Sequence, residues 1–333
     1  MRLFHFPKFW QKILLCAFVL LNNLSSTSAS EITWPRTFIT PMGTVTLQQQ
    51  PQRIVSTSVT LTGSLLAINA PLVGSGATAR NSTVADNQGF FTQWSQVAQA
   101  NGLKSLYIGE PDAETIIAEA PDLIIISASG GDSALKLYAQ LSKIVPTVVI
   151  DYSNVSWQEL TQRLGEITGH ETDAKTIVTS FEQRVKSLKQ RLRLPPQPTS
   201  ALVYYEDDRG INLWTEASAQ VQLLRELGFS LAPTPADMNN ETTMGKRNDI
   251  IQLGGETMAD AISGESVMLF SADERTVKKF AANPFFSHLN SIRHHRIYAM
   301  GMDTFRLDYY SANNLLDTME RLFTDMKCNS TIK

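Results

Sequence analysis

Short apolar runs alternate along the first half of the chain with segments that repeat apolar positions at helical spacing. The runs that predict strands lie at 53–56, 72–74, 123–127 and 147–152. Helical patterns between them include 113–120 and 133–143. Strands that alternate with helices are typical of βαβ units, whose crossover helices make neighbouring strands parallel. This half of the chain is therefore predicted to form a largely parallel sheet.

The strand signal then stops between residues 156 and 194. Apolar side chains fall on one helical face there, at Ile177, Val178, Phe181, Val185, Leu188 and Leu192. Gly169 and His170 are predicted to break this helical segment, and the prolines at 195, 196 and 198 to end it. Strand patterns resume at 201–205, 211–214, 267–270 and 296–300, and a final helix is predicted from 307 to about 326.

This organisation predicts an α/β fold with two parallel-sheet-based lobes joined by one long rigid helix. The predicted boundaries are 1–30 for a leader, 31–155 for the N-terminal lobe, 156–198 for the linking segment and 199–333 for the C-terminal lobe. A single doubly wound domain with one long crossover is the alternative. We favour two lobes because a long helix that ends in three prolines is a poor interior crossover.

The first thirty residues have the pattern of a cleavable signal peptide. Three basic residues precede the apolar run 13–21, and small residues follow at 25–30. Leucines precede Cys16, which disfavours a lipid anchor, so a soluble, exported protein is expected. Removal of the leader leaves Cys328 as the one cysteine and excludes an intrachain disulfide.

Charge narrows the range of partners. The leader carries three basic and no acidic residues, so its removal shifts the formal net charge from −3 to −6. An acidic protein is a poor nucleic-acid binder. An anionic small ligand remains possible because a local cluster of arginines can oppose the overall sign.

Hydroxyl side chains at 56–60 lie between a predicted strand and a predicted helix. In open α/β sheets, ligands bind at such strand ends and helix N-termini. An ordinary helix cap would give the same local pattern. This segment, with the longer runs 107–111, 130–135, 246–256 and 304–312, closely resembles siderophore-type members of the single-helix-linked periplasmic binding protein family. The resemblance extends over essentially the whole chain after the leader.

The resemblance implies a receptor rather than an enzyme. Its expected cargo is ferric enterobactin or a related ferric catecholate siderophore, held in a cleft between the lobes. Its expected partner is an inner-membrane ABC permease with a cytoplasmic ATPase. No cofactor is expected because the iron arrives already chelated.

An anionic, aromatic-rimmed cargo requires fixed positive charge and flat apolar faces, and arginine can supply hydrogen bonds and stack on rings. The resemblance favours Arg306 and Phe305, with Trp214 as a pocket tryptophan that could equally be a core residue. Arg80 lies in a suitable loop, although the family arginine of that loop falls at Thr83. Further basic candidates, each of which could instead be a solvated loop charge, are Arg209 and Arg247.

Glu114 and Glu256 stand where the resemblance places one permease-docking glutamate on each lobe. Both also lie near predicted helix starts, where acidic residues are stabilising.

Other functions have weaker signals. Haem, cobalamin or a ferric hydroxamate could occupy the same fold, and Tyr107 or Tyr205 could supply an axial haem ligand. Residues 130–133 are interpreted as a helix start capped by Asp132 or Ser133. The chain lacks a Gly-x-Ser-x-Gly motif, which leaves an exported hydrolase as a remote alternative. No histidine spacing in the sequence indicates a metal site.

Overall fold

The computed structural model describes residues 33–153, 155–207, 209–233, 248–255 and 257–324. The predicted signal peptide and Cys328 lie outside these residues. The described part begins with an antiparallel hairpin of β1 (Arg36–Thr40) and β2 (Gly43–Leu47). The side chain of Arg36 fixes this hairpin to later helices through hydrogen bonds to Glu166 and Glu171.

Five parallel strands form the N-terminal sheet, in the order β5-β4-β3-β6-β7. They are β3 (Ile54–Ser56), β4 (Leu72–Ala77), β5 (Lys104–Ile108), β6 (Leu123–Ser127) and β7 (Thr147–Ile150). The intervening helices are α1 (Val59–Ala67), α2 (Ser95–Ala100), α3 (Ala113–Ala118) and α4 (Tyr138–Leu141). The central strands β3 and β6 are buried along their whole length, because helices cover both faces of a parallel sheet.

Two helices connect the sheets, α5 (Trp157–Thr168) and α6 (Glu171–Lys189). Ser156 and Glu159 form a reciprocal capping box at the start of α5. Gly169 ends that helix in the left-handed conformation at φ 74°, which glycine adopts without steric penalty. The predicted break at this position is confirmed, and α6 continues for 19 residues.

The second sheet has the order β10-β9-β8-β11-β12. Its strands are β8 (Thr199–Tyr204), β9 (Ile211–Trp214), β10 (Ile250–Leu253), β11 (Ser266–Leu269) and β12 (Ile297–Ala299). Strands β8, β11 and β12 are parallel, whereas β9 pairs antiparallel with both β8 and β10. The predicted two-lobed α/β class is confirmed, with the difference that this sheet is mixed.

Helices cover both faces of the second sheet. They are α7 (Ala219–Glu226), α8 (Thr257–Asp260), α9 (Glu274–Ala282), α10 (Asn290–Arg293) and α11 (Tyr309–Phe323). One core cluster joins α6, α7 and α11 to one face, and a second core cluster packs α9 and its neighbours on the other face. Helix α11 also packs against α1 of the first lobe. In the described ranges no helix combines the length and apolarity needed to cross a bilayer.

The predicted helix at 133–143 is wrong in extent. A 3-10 turn at Leu135–Leu137 leads into α4, which has only four residues. Ser133 does accept a hydrogen bond from the Leu135 N–H at 3.2 Å. The carboxylate of Asp132 instead binds the start of α1, at the N–H of Thr60.

Candidate functional site

The loops that follow β7 and β12 meet at the carboxyl ends of the two sheets. Tyr152 comes two residues after β7, and Arg306 lies between β12 and α11. The guanidinium carbon of Arg306 stands 4.5 Å from the centroid of the Tyr152 ring, which is cation–π contact. Ligands of open α/β sheets bind outside strand carboxyl ends, so this contact marks the candidate site.

Hydrogen bonds hold the loop that carries Arg306. The Thr304 hydroxyl donates to Gly301 O at 2.8 Å and accepts from the Ser271 N–H at 2.9 Å. The amide of Gln220 donates to the carbonyls of Thr304 and Phe305, at 3.0 and 2.7 Å. A loop fixed from two sides presents its next side chain in a defined direction. The exposed side chain is that of Arg306.

No described carboxylate lies within ion-pair distance of Arg306. Asp303 accepts a hydrogen bond from the Asn314 amide at 2.8 Å, and Asp308 caps α11 through the Ser311 N–H. Arg306 therefore forms no ion pair with either of these neighbouring aspartates.

Trp214 lies in the core instead of lining an open surface. Its side chain is 1% exposed, and it packs against Phe270 and Phe305 with ring centroids 6.4 and 5.6 Å away. Phe305 is half-buried and lies between this core and the solvent side. Of the two aromatic candidates, Phe305 is the one that a ligand can reach in this conformation.

The hydroxyl-rich turn after β3 binds a side-chain carboxylate of the protein itself. Both the Ser58 hydroxyl and the Thr60 N–H donate to Oδ2 of Asp132, the latter at 3.0 Å. This carboxylate occupies the N-terminal end of α1, where the helix dipole favours negative charge. The sequence pattern of this turn fits either a ligand site or an ordinary helix cap, and in this structure a carboxylate of the protein itself occupies the helix end. The partner comes from the loop after β6, which no local pattern identifies.

The hydroxyls of both tyrosine candidates for haem ligation form hydrogen bonds within the protein. The Tyr107 hydroxyl donates to Thr57 O at 2.7 Å, and burial strongly raises the pKa of this phenol. The Tyr205 hydroxyl accepts from the Asn212 amide at 3.0 Å. In addition, no group of three or more His, Cys, Asp or Glu residues in the described chain could hold a metal ion.

The remaining basic candidates differ in their surroundings. Arg80 is exposed in the loop after β4 and has no described carboxylate partner. Arg209 stacks on Tyr205 and binds both carboxylate oxygens of Asp207, with Nε–Oδ1 and Nη2–Oδ2 distances of 2.8 and 2.7 Å. Arg247 lies outside the described residues.

Of the two docking candidates, Glu114 is exposed in the first turn of α3. The cap of that helix is Asp112, whose side chain accepts from the Glu114 N–H at 3.0 Å. The side chain of Glu114 is therefore not needed as the cap. Glu256 lies outside the described residues.

Sequence reasoning missed a buried carboxylate between the lobes. Asp308 is 8% exposed and accepts hydrogen bonds from Ser311 of α11 and from Gln93, which precedes α2. Burial raises the pKa of this carboxyl, although the hydrogen bonds from Ser311 oppose the shift. The local sequence gives no sign of its contact with Gln93, which lies 215 positions earlier in the chain.

Comparisons with known proteins agree with this architecture. A family model described as periplasmic binding protein matches residues 54–304. The chain is 51% identical over 314 residues to the ferric enterobactin-binding periplasmic protein FepB of Escherichia coli O6:H1 (strain CFT073), covering 94% of this chain and 98% of that one. It is 23% identical over 299 residues to the iron(3+)-hydroxamate-binding protein YxeB of Bacillus subtilis (strain 168), covering 87% and 85%.

Among solved structures, that of holo-ViuP superposes with a TM-score of 0.78 at 32% identity, covering 88% of this chain and 96% of that one. The family model spans most of the chain, and a relative that is half identical spans nearly all of it. The chain therefore belongs to the periplasmic binding protein family, as its sequence resemblance predicts.

Proposed function

We propose that this protein is exported to the periplasm, binds ferric enterobactin or a related ferric catecholate siderophore, and delivers it to an inner-membrane ABC permease. The relative at 51% identity, named as a ferric enterobactin-binding protein, supports this cargo. The observation that carries the proposal is Arg306, exposed at the junction of the two lobes and without a described carboxylate partner.

The chemistry of the cargo fits this arrangement. A ferric tris-catecholate is anionic, has aromatic edges, and holds its iron fully coordinated, so the protein supplies charge and flat surfaces instead of metal ligands. Arg306 offers in-plane N–H donors, and Phe305 beside it offers an aromatic face. Arg80 is the candidate from the first lobe. The proposed site excludes Arg209, because Asp207 already binds its donors. No bond is made or broken, and the protein needs no cofactor.

The binding test is a tryptophan-fluorescence titration of the leader-free protein with ferric enterobactin, then with a ferric hydroxamate, haem and cobalamin. We expect saturable quenching by ferric enterobactin that weakens with salt. We expect Arg306→Ala to weaken binding at least about tenfold, roughly the contribution of one charged hydrogen-bonding group. Arg209→Ala is the matched control and should bind normally.

Unchanged affinity in Arg306→Ala would refute this site. Saturable binding of haem, cobalamin or the hydroxamate in place of the catecholate would refute the cargo and leave the carrier role. Turnover of an ester or peptide substrate, with no cargo bound, would favour the hydrolase alternative.

We further propose lobe boundaries near residues 155 and 198, with Glu114 and Glu256 docking one lobe each onto the permease. Exposed charges of this kind steer association and fix orientation. The double variant Glu114→Ala, Glu256→Ala should bind cargo normally yet fail to support uptake in cells. Glu274→Ala removes another exposed first-turn glutamate and should leave uptake intact. Normal uptake by the double variant would contradict the docking role.

A further inference from the structure

Two arginines in the described chain stack on tyrosine rings. The guanidinium carbon of Arg306 lies 4.5 Å from the Tyr152 centroid, and that of Arg209 lies 4.0 Å from the Tyr205 centroid. Stacking uses the flat face of a guanidinium, whereas its five N–H donors lie in the plane. A stacked arginine can therefore still bind an anion with its edge.

The two arginines differ in the groups that lie near their in-plane N–H donors. In Arg209, Asp207 accepts from Nε and Nη2, and the pair is local because the residues are two positions apart. Arg306 has no described carboxylate at ion-pair distance, and its stacking partner comes from the other lobe. The Arg306 guanidinium therefore contacts the ring and the phenol oxygen of Tyr152, and no described carboxylate neutralises its charge.

The Tyr152 ring is held in place. Tyr152 as a residue is 9% exposed, and its hydroxyl donates to Ser129 O at 3.3 Å. A Cβ at Gly130 would lie 2.4 Å from the Tyr152 hydroxyl oxygen, and Gly130 has φ +95°, so glycine is required for this approach. Residues of the loop after β6 thus fix a ring that belongs to the loop after β7.

We propose that Tyr152 is a positioning residue for ligand recognition, which holds the Arg306 guanidinium in its binding orientation before the cargo arrives. This inference rests on the proposed function, since Arg306 must contact the anionic cargo. An arginine in solution samples many rotamers, and fixing such a side chain on binding opposes affinity. A preformed stack removes part of this entropic opposition. Tyr152 acts through Arg306 and needs no contact with the cargo.

The test is a double-mutant cycle on ferric enterobactin affinity. We expect Tyr152→Leu, which keeps apolar volume but removes the ring, to weaken binding about three- to tenfold, the equivalent of ordering one flexible side chain. Tyr152→Phe keeps the ring face and loses only the hydrogen bonds of the phenol, so its loss of affinity should be smaller than that of Tyr152→Leu. In an Arg306→Ala background, Tyr152→Leu should have no further effect. Tyr205→Leu removes the comparable ring at Arg209 and should leave affinity unchanged.

The outcomes separate this inference from the proposed function. A loss in Arg306→Ala together with normal binding by Tyr152→Leu overturns the positioning role alone. A Tyr152→Leu effect that persists in Arg306→Ala shows direct contact of the ring with the cargo, and also overturns it. No loss in Arg306→Ala overturns the proposed site itself.

A second variant covers the case in which Tyr152→Leu does not fold. Arg306→Lys keeps the charge and leaves Tyr152 in place, but lacks the planar group that stacks. We expect it to bind at least about threefold more weakly. Wild-type affinity in Arg306→Lys would overturn the proposal.

Discussion

Gly63 of α1 lies against Trp94 and Asp308 with no room for a side chain, and we predict that Gly63→Ala destabilises the protein. The added Cβ would lie 2.7 Å from Trp94 Nε1, 2.8 Å from Trp94 Cδ1 and 2.8 Å from Asp308 Oδ2. All three distances are shorter than van der Waals contact, so the indole and the carboxylate must move apart. Asp308 also caps α11, so its displacement weakens the start of that helix.

The expected magnitude is a difference of two opposing terms. Overpacking of a core site costs about 1–3 kcal/mol. Alanine in place of glycine inside a helix stabilises by roughly 0.5–1 kcal/mol. The free energy of unfolding should therefore fall by about 1 kcal/mol, because the crowded atoms belong to a buried indole and a buried carboxylate.

Urea denaturation followed by circular dichroism measures this loss, provided that the m-value stays constant between variants. Gly131→Ala is the control, because no atom lies within 4 Å of its added Cβ and its φ is not left-handed. Trp94→Phe in the Gly63→Ala background removes the indole nitrogen, the atom nearest to the added Cβ, and should give a favourable coupling energy. Stabilisation by Gly63→Ala, or the absence of a coupling energy with Trp94→Phe, would refute this steric explanation.

Three further perturbations test other features. Burial raises the pKa of Asp308, so the folded state binds its proton more tightly than the unfolded state. The stability of the wild type relative to Asp308→Asn should therefore be greatest at low pH and decline as pH rises through the raised pKa. Urea denaturation at a series of pH values measures this difference, and a difference that stays constant would contradict the prediction. Ser156→Ala removes the capping box of α5 and should lower the free energy of unfolding, measured by urea denaturation, by about 1 kcal/mol. An unchanged free energy of unfolding would show that water replaces the cap. Asp132→Asn removes a negative charge near Tyr152, the residue that Arg306 contacts, and should tighten ferric catecholate binding by about two- to tenfold in low-salt titrations. Weaker binding would show that the charge is needed to hold α1.

Part of the candidate site could be predicted from the sequence. Arg306 and Phe305 were predicted from their loop and from the family resemblance, and the structure leaves both reachable. Trp214 was predicted as a pocket or a core residue, and its 1% exposure places it in the core here. Tyr152 was missed, because nothing in its local sequence indicates a stack with a residue 154 positions later. Only the meeting of two strand-end loops creates that contact.

The sequence by itself determined the elements whose signals are local. Continuous apolar residues specified β6, because a strand buried on both faces needs no polar alternation. Gly169 specified the break between α5 and α6, because glycine is the residue that adopts the left-handed conformation without steric penalty. The family also follows from the sequence, since it depends on the order of residues and not on their contacts.

The tertiary structure alone decided which distant groups meet. It set β9 antiparallel to its neighbours, placed Asp132 on the N-terminus of α1, and buried Asp308 beside Gln93. Strand direction and long-range hydrogen bonds depend on how complete elements pack, and burial depends on the whole fold. A hydroxyl-rich turn or a capping aspartate therefore has the same local sequence whether it faces a ligand or another part of its own chain.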